Sequence, residues 1–303
     1  MSNKKDVTAV VTKAGTNAGA RVETTALDRR VLEAADDILD TSLQSLGQRD
    51  ALGPVETIHH VRVGMKQLRA FLRLARPALA DEHYVELNGL CRQLAADLSG
   101  QRDADVALET LKSLAPDEKA LINRLENLLH CSAATSVSQP PDWQQIETRL
   151  LALKQQVHAD LRPGMQCRTL EKTVSRSFRQ SIQMWKQAQN DGSEEVLHEW
   201  RKLVKRAYYQ SLLLCSDKKV KRLRRLKQLS DYLGDLHDLD MLAQRLESER
   251  RYFWLDELVR VCKRIDTERA NLHRKSVQEG KALFRGKSGK TLAKRLVRKS
   301  SWC

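Results

Sequence analysis

The sequence is poor in the residues that usually build β-sheets and tight turns. Only 5% of its 303 residues are aromatic, proline occurs 6 times, and alternating Val/Ile/Thr runs are nearly absent. Leu, Ala, Arg, Lys, Glu and Gln, which favour helices, dominate instead. Hydrophobic residues make up 41% of the chain, which is enough for a substantial core. We therefore expect an all-α protein.

Long apolar runs and closely spaced cysteines are absent as well. No apolar stretch reaches the ~18 residues of a membrane span, and no apolar region follows Lys4 and Lys5 as in a signal peptide. The cysteines are widely spaced, so no C-x-x-C or zinc motif exists. We expect free thiols and a cytoplasmic location.

Positive charge is in clear excess. The chain has 53 Lys and Arg against 39 Asp and Glu, which gives a net charge of +14. An excess of this size indicates a polyanionic partner. Composition alone leaves nucleic acid, polyphosphate, anionic lipid and acidic protein as candidates.

The sequence has no Walker-type glycine loop and no nucleophile elbow, so we expect a binding protein that is not an enzyme.

The segment 58–74 carries an apolar stripe and a basic stripe side by side. Successive helical residues are about 100° apart, so two stripes offset by one residue lie next to each other. The apolar stripe consists of Ile58, Val61, Met65, Leu68 and Leu72. The basic stripe, here called the first ridge, consists of His59, Arg62, Lys66, Arg69 and Arg73. This pattern predicts a row of cations at the edge of a core.

The same pattern occurs twice in the chain. His-x-x-Arg-x-x-x-Lys begins at His59 and again at His198, and the segments 98–108 and 233–243 also match. Two ordered matches at nearly one offset predict an internal duplication, with halves of about 23–160 and 165–285. Each half is expected to be a helical bundle, and a pseudo-twofold arrangement would bring the ridges to one shared surface. The second ridge consists of His198, Arg201, Lys202, Lys205 and Arg206.

These paired motifs resemble the CHAD family, whose name stands for conserved histidine α-helical domain. The motifs are IHHVRVGMKQLR and LHEWRKLVKR, each followed by L-x-x-x-x-D-x-D. The resemblance covers about residues 23–285. It implies two pseudo-symmetric helical bundles with a basic groove or pore between them. It also implies inorganic polyphosphate as the ligand and an association with polyphosphate granules.

The family motif can be carried over residue by residue. It falls on His59, Arg62, Lys66 and Arg69 in the first half, and on His198, Arg201, Lys205 and Arg206 in the second. The chain departs from the family at Gln67 and Tyr208, where basic residues are usual, and at His237, where Arg is expected. These departures reduce the number of basic side chains at a different position in each half.

Further cations lie outside the two ridges. The segment 218–227 is strongly basic and could line the site or bind nucleic acid outside it. From it we assign Lys221, Arg225 and Lys227 to the candidate polyphosphate site, together with Arg92, the counterpart of Lys227 in the first half. Residues 286–303 are expected to form a solvated basic tail, and residues 1–22 a disordered one.

The histidines and the D-x-D pairs each allow two interpretations. His59 and His198 are either phosphate ligands that protonate near the polyanion or neutral residues hydrogen-bonded between helices. Asp103 and Asp105, like Asp238 and Asp240, would be about 200° apart on a helix, which is unsuitable for sharing one metal ion. We expect a structural role for them, as a helix N-cap or as a partner of a ridge.

The sequence thus predicts a cytoplasmic, granule-associated polyphosphate-binding protein with no catalytic residue, metal or other cofactor. One rival is a non-specific nucleic-acid-binding protein. A less favoured rival is a metal-dependent phosphohydrolase that uses the D-x-D carboxylates.

Overall fold

The described part of the chain is built from helices and contains no strand. The structure is a computed structural model that describes residues 25–98, 100–135, 141–215, 221–298, 300, 302 and 303, apart from the side chains of 100–104 and 130–135. The all-α prediction is confirmed. The predicted tail 1–22, Lys218, Lys219 and the side chain of Asp103 lie outside this description.

The helices follow each other with short connections. In chain order they are α1 (Ala26–Gly47), α2 (Arg49–Leu52), α3 (Pro54–Ala75), α4 (Asp81–Asp97), α5 (Gly100–Leu114), α6 (Lys119–Thr135), α7 (Trp143–Asp160), α8 (Cys167–Ala188), α9 (Glu194–Leu214), α10 (Lys221–Ser248), α11 (Leu255–Phe284) and α12 (Gly289–Val297). Short 3-10 turns lie at Arg76–Ala78 and Arg250–Tyr252.

The first bundle consists of α1, α3, α4 and α7, which pack against each other. The start of α1 is fixed by a capping box, in which Thr25 Oγ1 accepts from the Asp28 amide and Asp28 accepts from the Thr25 amide. Asp28 also accepts from the amides of Gly164 and Met165, at 3.0 and 2.9 Å. One buried carboxylate therefore joins the start of the first bundle to the connection that leads into the second.

The second bundle consists of α8, α9, α10 and α11, and α12 packs on α8. The expectation of a solvated tail after residue 285 is corrected here, because α12 buries Leu292, Ala293 and Val297. A Cβ atom at Gly289 would lie 2.5 Å from the Ser175 carbonyl oxygen, so only glycine permits this close approach. The many basic residues of this segment suggested a solvated tail, although its apolar residues form the buried face of an amphipathic helix.

Helices α5 and α6 leave the first bundle and pack along the second. Helix α5 contacts α10, and α6 follows α5. Arg124 of α6 makes two hydrogen bonds of 2.8 Å to Glu257 of α11. Arg260 and Arg264 of α11 pair with Glu118 and Asp117 in the turn before α6. The two bundles are therefore linked by more than the chain that connects them.

The D-x-D segments occupy different positions in the two halves. The first lies near the start of α5, after the break between α4 and α5, whereas the second lies in the middle of the continuous helix α10. An N-cap role is therefore wrong for Asp238 and Asp240. Asp240 is buried and pairs with Arg269 at 2.7 Å, while Asp238 lines a cavity with Asp235. The two carboxylates face different surroundings, as the helical spacing predicted.

The expectation of free thiols is wrong for two of the cysteines. Cys167, at the start of α8, forms a disulfide with Cys303. Cys91, which is buried, and Cys262, which is exposed, carry free thiols. The bond could not be predicted from the sequence, because its partners are 136 residues apart and come together only when α12 packs on α8.

The apolar faces of these helices are directed inward, toward the core. None of the described helices is long and apolar enough to cross a membrane.

Candidate anion-binding groove

Helices α3 and α9, which carry the two predicted ridges, pack against each other between the bundles. The apolar stripe of α3 is fully buried, with Val61, Met65, Leu68 and Leu72 all at 0% exposure. The buried side chain of Gln210 donates from Nε2 to the Ala70 carbonyl at 3.4 Å, which joins α9 to α3 directly. Burial of the stripes forces the neighbouring basic residues to the edge of this contact.

A cavity of about 250 Å³ opens where the ridges meet. Its lining comprises Lys66, Arg69, Ala70, Arg73 and Asn88 from the first bundle, and Arg201, Lys202, Lys205, Arg206 and Tyr209 from the second. We call this cavity the groove. Three predicted cations of the first ridge and four of the second are thus brought together. The described residues of the lining include no Asp or Glu.

Lys205 is a strongly perturbed cation of the groove. Burial, followed by the charges of Arg201 and Lys66, lowers its pKa to about 7. Asp238 and Asp231 act in the opposite direction without cancelling the effect. Burial also lowers the pKa of Arg201, whose Nε is buried without a hydrogen-bond partner among the described residues. The second ridge therefore holds positive charge in an unfavourable environment.

Arg206 and Arg69 extend this charge along the groove. Burial, and then the charge of Arg73, lowers the pKa of Arg206 to about 10. Burial also lowers the pKa of Arg69, and the nearby Arg92 adds to the effect. Neutral amides orient both guanidinium groups, since Arg69 donates to Asn88 at 3.0 Å and Arg206 to Gln180 at 3.2 Å. These contacts fix the side chains without neutralising them.

The histidines of the two ridges lie outside the lining of the groove. The ring of His198 is 4.9 Å from that of His237, and the ring of His59 is 6.2 Å from that of His60. Burial lowers the pKa of His198, and burial together with Arg201 and other cations lowers that of His237 to about 4. Both rings are therefore neutral near pH 7. This favours the structural interpretation for His198.

Other predicted site residues lie at or beyond the edge of the groove. Arg62 donates to the Leu98 carbonyl at 3.2 Å, at the end of α4. Arg92 is exposed on α4, where its charge reaches Arg69. Lys227 makes hydrogen bonds of 2.8 and 3.1 Å to Asp231. None of these three residues lines the cavity.

Two predicted site residues belong to a different place. Lys221 and Arg225 line a second cavity, at the ends of α10 and α11. Their assignment to the groove is corrected, because this second cavity shares no lining residue with the groove. Sequence similarity between the halves could not show that the first turn of α10 lies apart from the two ridges.

Three neutral residues of the lining were not predicted: Ala70, Asn88 and Tyr209. Tyr209 follows Lys205 by four residues on the same helical face, so the spacing of the second ridge could have identified it. Burial raises its pKa to about 12, so the phenol is neutral and able to donate a hydrogen bond. Asn88 carries no such signal, because its role depends on how α4 packs on α3.

The chemistry of the groove suits a flexible anion with many oxygens. Guanidinium groups offer paired donors to phosphate-type oxygens, and the ammonium groups add point charges. The described residues contain no group of three or more His, Cys, Asp or Glu placed to hold a metal ion. The groove itself supplies donors and positive charge.

Comparisons with known proteins agree with the motifs. Residues 29–247 match the family described as CHAD domain. No curated protein matches the chain. Among solved structures, it is similar to the CHAD domain from the plant Ricinus communis, with 18% sequence identity and a TM-score of 0.55 over 88% of this chain and 91% of that one. At this identity the similarity concerns the fold alone. Because the family match spans most of its length, the chain belongs to the CHAD domain family.

Proposed function

We propose that this protein binds inorganic polyphosphate in the groove and does so without catalysing a reaction. The observation that carries the proposal is the convergence of Lys and Arg side chains from α3 and α9 on one cavity whose described lining has no carboxylate. Their lowered pKa values mean that the folded protein disfavours these charges. An anion in the groove would offset the unfavourable free energy of these charges, and this gain would contribute to the binding affinity.

The spacing of the cations fits a linear polyanion. Residues three or four positions apart on a helix are separated by about 5 Å along its axis, and polyphosphate carries about one negative charge per phosphate. Each ridge can therefore contact successive phosphates without recognising any sequence. Two ridges facing one cavity hold a chain on two sides, where a single ridge would offer only a surface.

Competition between polyanions tests this proposal. Long-chain polyphosphate and double-stranded DNA are compared at equal charge concentration, across a range of salt concentrations. We expect polyphosphate to displace DNA, because a single flexible chain enters the groove more easily than a duplex. Failure of polyphosphate to displace DNA would overturn the proposal in favour of non-specific nucleic-acid binding.

A phosphate-release assay tests the non-enzymatic part. The protein is incubated with polyphosphate and Mg²⁺ or Mn²⁺, and free phosphate is measured over time. We expect no release above the buffer control. Release that is lost in Asp238→Asn would instead support a phosphohydrolase, because Asp238 is the D-x-D carboxylate whose charge acts on the groove cations.

Granule association in the cytoplasm is the expected cellular consequence of such binding. A fluorescent fusion of the protein should co-localise with stained polyphosphate granules in cells that accumulate the polymer. The fusion carrying Arg201→Gln and Lys205→Gln should remain diffuse. Equal localisation of both fusions would show that the groove does not direct the association.

A further inference from the structure

A second group of cations lies where the first turn of α10 meets the last turn of α11. It surrounds a cavity of about 330 Å³, which we call the terminal pocket. The lining consists of Lys221, Arg222, Arg225, Ala282, Leu283 and Lys287. It shares no residue with the groove. The terminal pocket is therefore a separate feature of the surface.

The cations of the terminal pocket act unfavourably on each other. Burial lowers the pKa of Arg222, and the charge of Arg295 on α12 lowers it further. Burial also lowers the pKa of Lys287, to which Arg222, Arg225 and Arg295 add. Four like charges thus act on one another across a partly buried space.

The neighbouring groups position these cations and neutralise them only in part. Lys287 Nζ donates to the carbonyl oxygens of Ala282 and Leu283, at 3.3 and 3.0 Å, and so caps the end of α11. Arg225 Nε is 3.7 Å from Glu279 Oε1. The described lining of the pocket contains no carboxylate, and Glu279 balances one charge of the group. The remainder of the positive charge faces the cavity.

We propose that the terminal pocket binds a phosphoryl oxyanion, at a site independent of the groove. Two guanidinium forks and an ammonium held in place by carbonyls match the oxygens of such a group. The pocket lies between the first described turn of α10 and the last turn of α11. At about 30 Å³ per water, its volume corresponds to roughly ten waters, so a phosphoryl group fits with part of its hydration shell.

The C-terminal segment completes this site. Lys287 precedes α12 and Arg295 lies on it, and both are beyond residue 247, where the family match ends. Helix α12 is held on α8 by its buried apolar residues and by the Cys167–Cys303 disulfide that follows it. The site therefore depends on a region that the family motifs do not include. It stands whether or not the groove binds polyphosphate.

Calorimetric titration of the full-length protein with tripolyphosphate, at about 0.15 M salt to screen diffuse attraction, tests the proposal. If the groove also binds, the wild type should show two sites. In either case, the groove variant Arg201→Gln/Lys205→Gln should show one. Adding Arg222→Gln and Arg225→Gln to this groove variant should weaken the remaining site by about tenfold or more. Orthophosphate should compete at this site, which would show that a single phosphoryl group suffices.

Two further variants make the result decisive. Ala282→Glu places a carboxylate in the pocket without removing any packing, so it should abolish the second site and raise the melting temperature in the absence of ligand. Lys290→Gln/Lys294→Gln removes the same charge from exposed positions of α12 and should leave the site intact. If the groove variant binds no tripolyphosphate, or if this control weakens binding as much as the pocket variants do, the proposal is overturned. The variant Arg222→Gln/Arg225→Gln, with its groove intact, measures separately whether the groove binds tripolyphosphate.

Discussion

Lys66 and Lys205 line the same cavity from opposite bundles, and the charge of Lys66 helps to lower the pKa of Lys205. Burial and Arg201 make the larger contributions, and together they bring the pKa of Lys205 to about 7. The packing of α3 on α9 thus creates a lysine that titrates near neutral pH. The histidines lie outside the groove lining, so Lys205 is a groove residue whose charge responds to physiological pH.

Polyphosphate affinity should therefore depend on pH through Lys205. A bound polyanion favours the charged ammonium and raises its pKa, so binding takes up a proton above pH ~7. Affinity should rise as pH falls from about 9 to about 7, by up to tenfold per unit, and level off below that. Binding measured by fluorescence titration at a series of pH values checks this.

Two variants separate Lys205 from the histidines. Lys205→Arg keeps the charge over the whole range, so it should bind well and lose the pH dependence. His198→Gln should retain the dependence, because His198 already has a lowered pKa and is neutral there. A pH dependence that persists in Lys205→Arg and disappears in His198→Gln would assign the effect to the histidine.

The two equivalent arginines of the repeated motif should differ in importance. Arg201 lines the groove, whereas Arg62 donates to a backbone carbonyl at the end of α4. Arg201→Ala should weaken polyphosphate binding by about tenfold and reduce the slope of log affinity against log salt by about one. Arg62→Ala is the matched control and should have a smaller effect. Equal losses in the two folded variants would mean that Arg62 also contacts the ligand.

The disulfide should stabilise the protein substantially. It closes a loop between residues 136 positions apart, for which the chain-entropy relation gives up to ~5 kcal/mol and measured values are about 2–5 kcal/mol. Cys303→Ser should lower the free energy of unfolding by that amount under oxidising conditions. Cys262→Ser, at an exposed free thiol, is the control and should have little effect. If reductant leaves the stability of the wild type unchanged, the bond does not form in solution.

The ion pair between α6 and α11 should matter more than ion pairs on the open surface. Arg124 makes a bidentate contact with Glu257, whose side chain is only 10% exposed. Arg124→Ala leaves this carboxylate without its main partner and should lower the free energy of unfolding by about 2–3 kcal/mol. The exposed pair of Arg30 and Glu33 is the control, and Arg30→Ala should cost less than about 1 kcal/mol. Chemical denaturation measures both.

Attachment of α12 should be sensitive to one methyl group. A Cβ atom at Gly289 would meet backbone atoms of Ser175 and Arg179, which cannot move independently of α8. Gly289→Ala should destabilise the protein by about 1–3 kcal/mol and increase amide exchange in α12. Gly234→Ala, where a Cβ atom would meet open space in the middle of α10, should instead stabilise it by about 0.5–1 kcal/mol. Unchanged exchange in Gly289→Ala would show that α12 tolerates a wider separation from α8.

The helices and the ridges could be predicted because helical periodicity is a local property. The spacing of Val61, Met65 and Leu68 shows which face of α3 is buried, and the basic residues beside it then follow. The match between the motifs that begin at His59 and His198 also predicted that α3 and α9 each carry a basic ridge. The internal duplication itself, with its pseudo-symmetry, remains a prediction.

The parts that could not be predicted depend on contacts between distant segments. Asn88 lines the groove because α4 packs on α3. Lys221 lines the terminal pocket instead, beside the last turn of α11. Helix α12 was not predicted, because its pattern is short and rich in Lys and Arg. Its apolar face becomes buried only through packing on α8. The pKa of Lys205 likewise reflects residues from two helices that the sequence does not show to be neighbours.

The crossing of α5 and α6 onto the second bundle limits how the groove can move. Opening the groove by a hinge between the bundles would require α5 to separate from α10, and the contacts of Arg124, Arg260 and Arg264 with their carboxylates to break. We therefore expect the walls formed by α3 and α9 to keep a nearly constant separation. Under the proposed function, the groove would accept only anions thin enough for this fixed width. Binding would then require little rearrangement of the bundles, so little of the binding energy would be used to reorganise the protein.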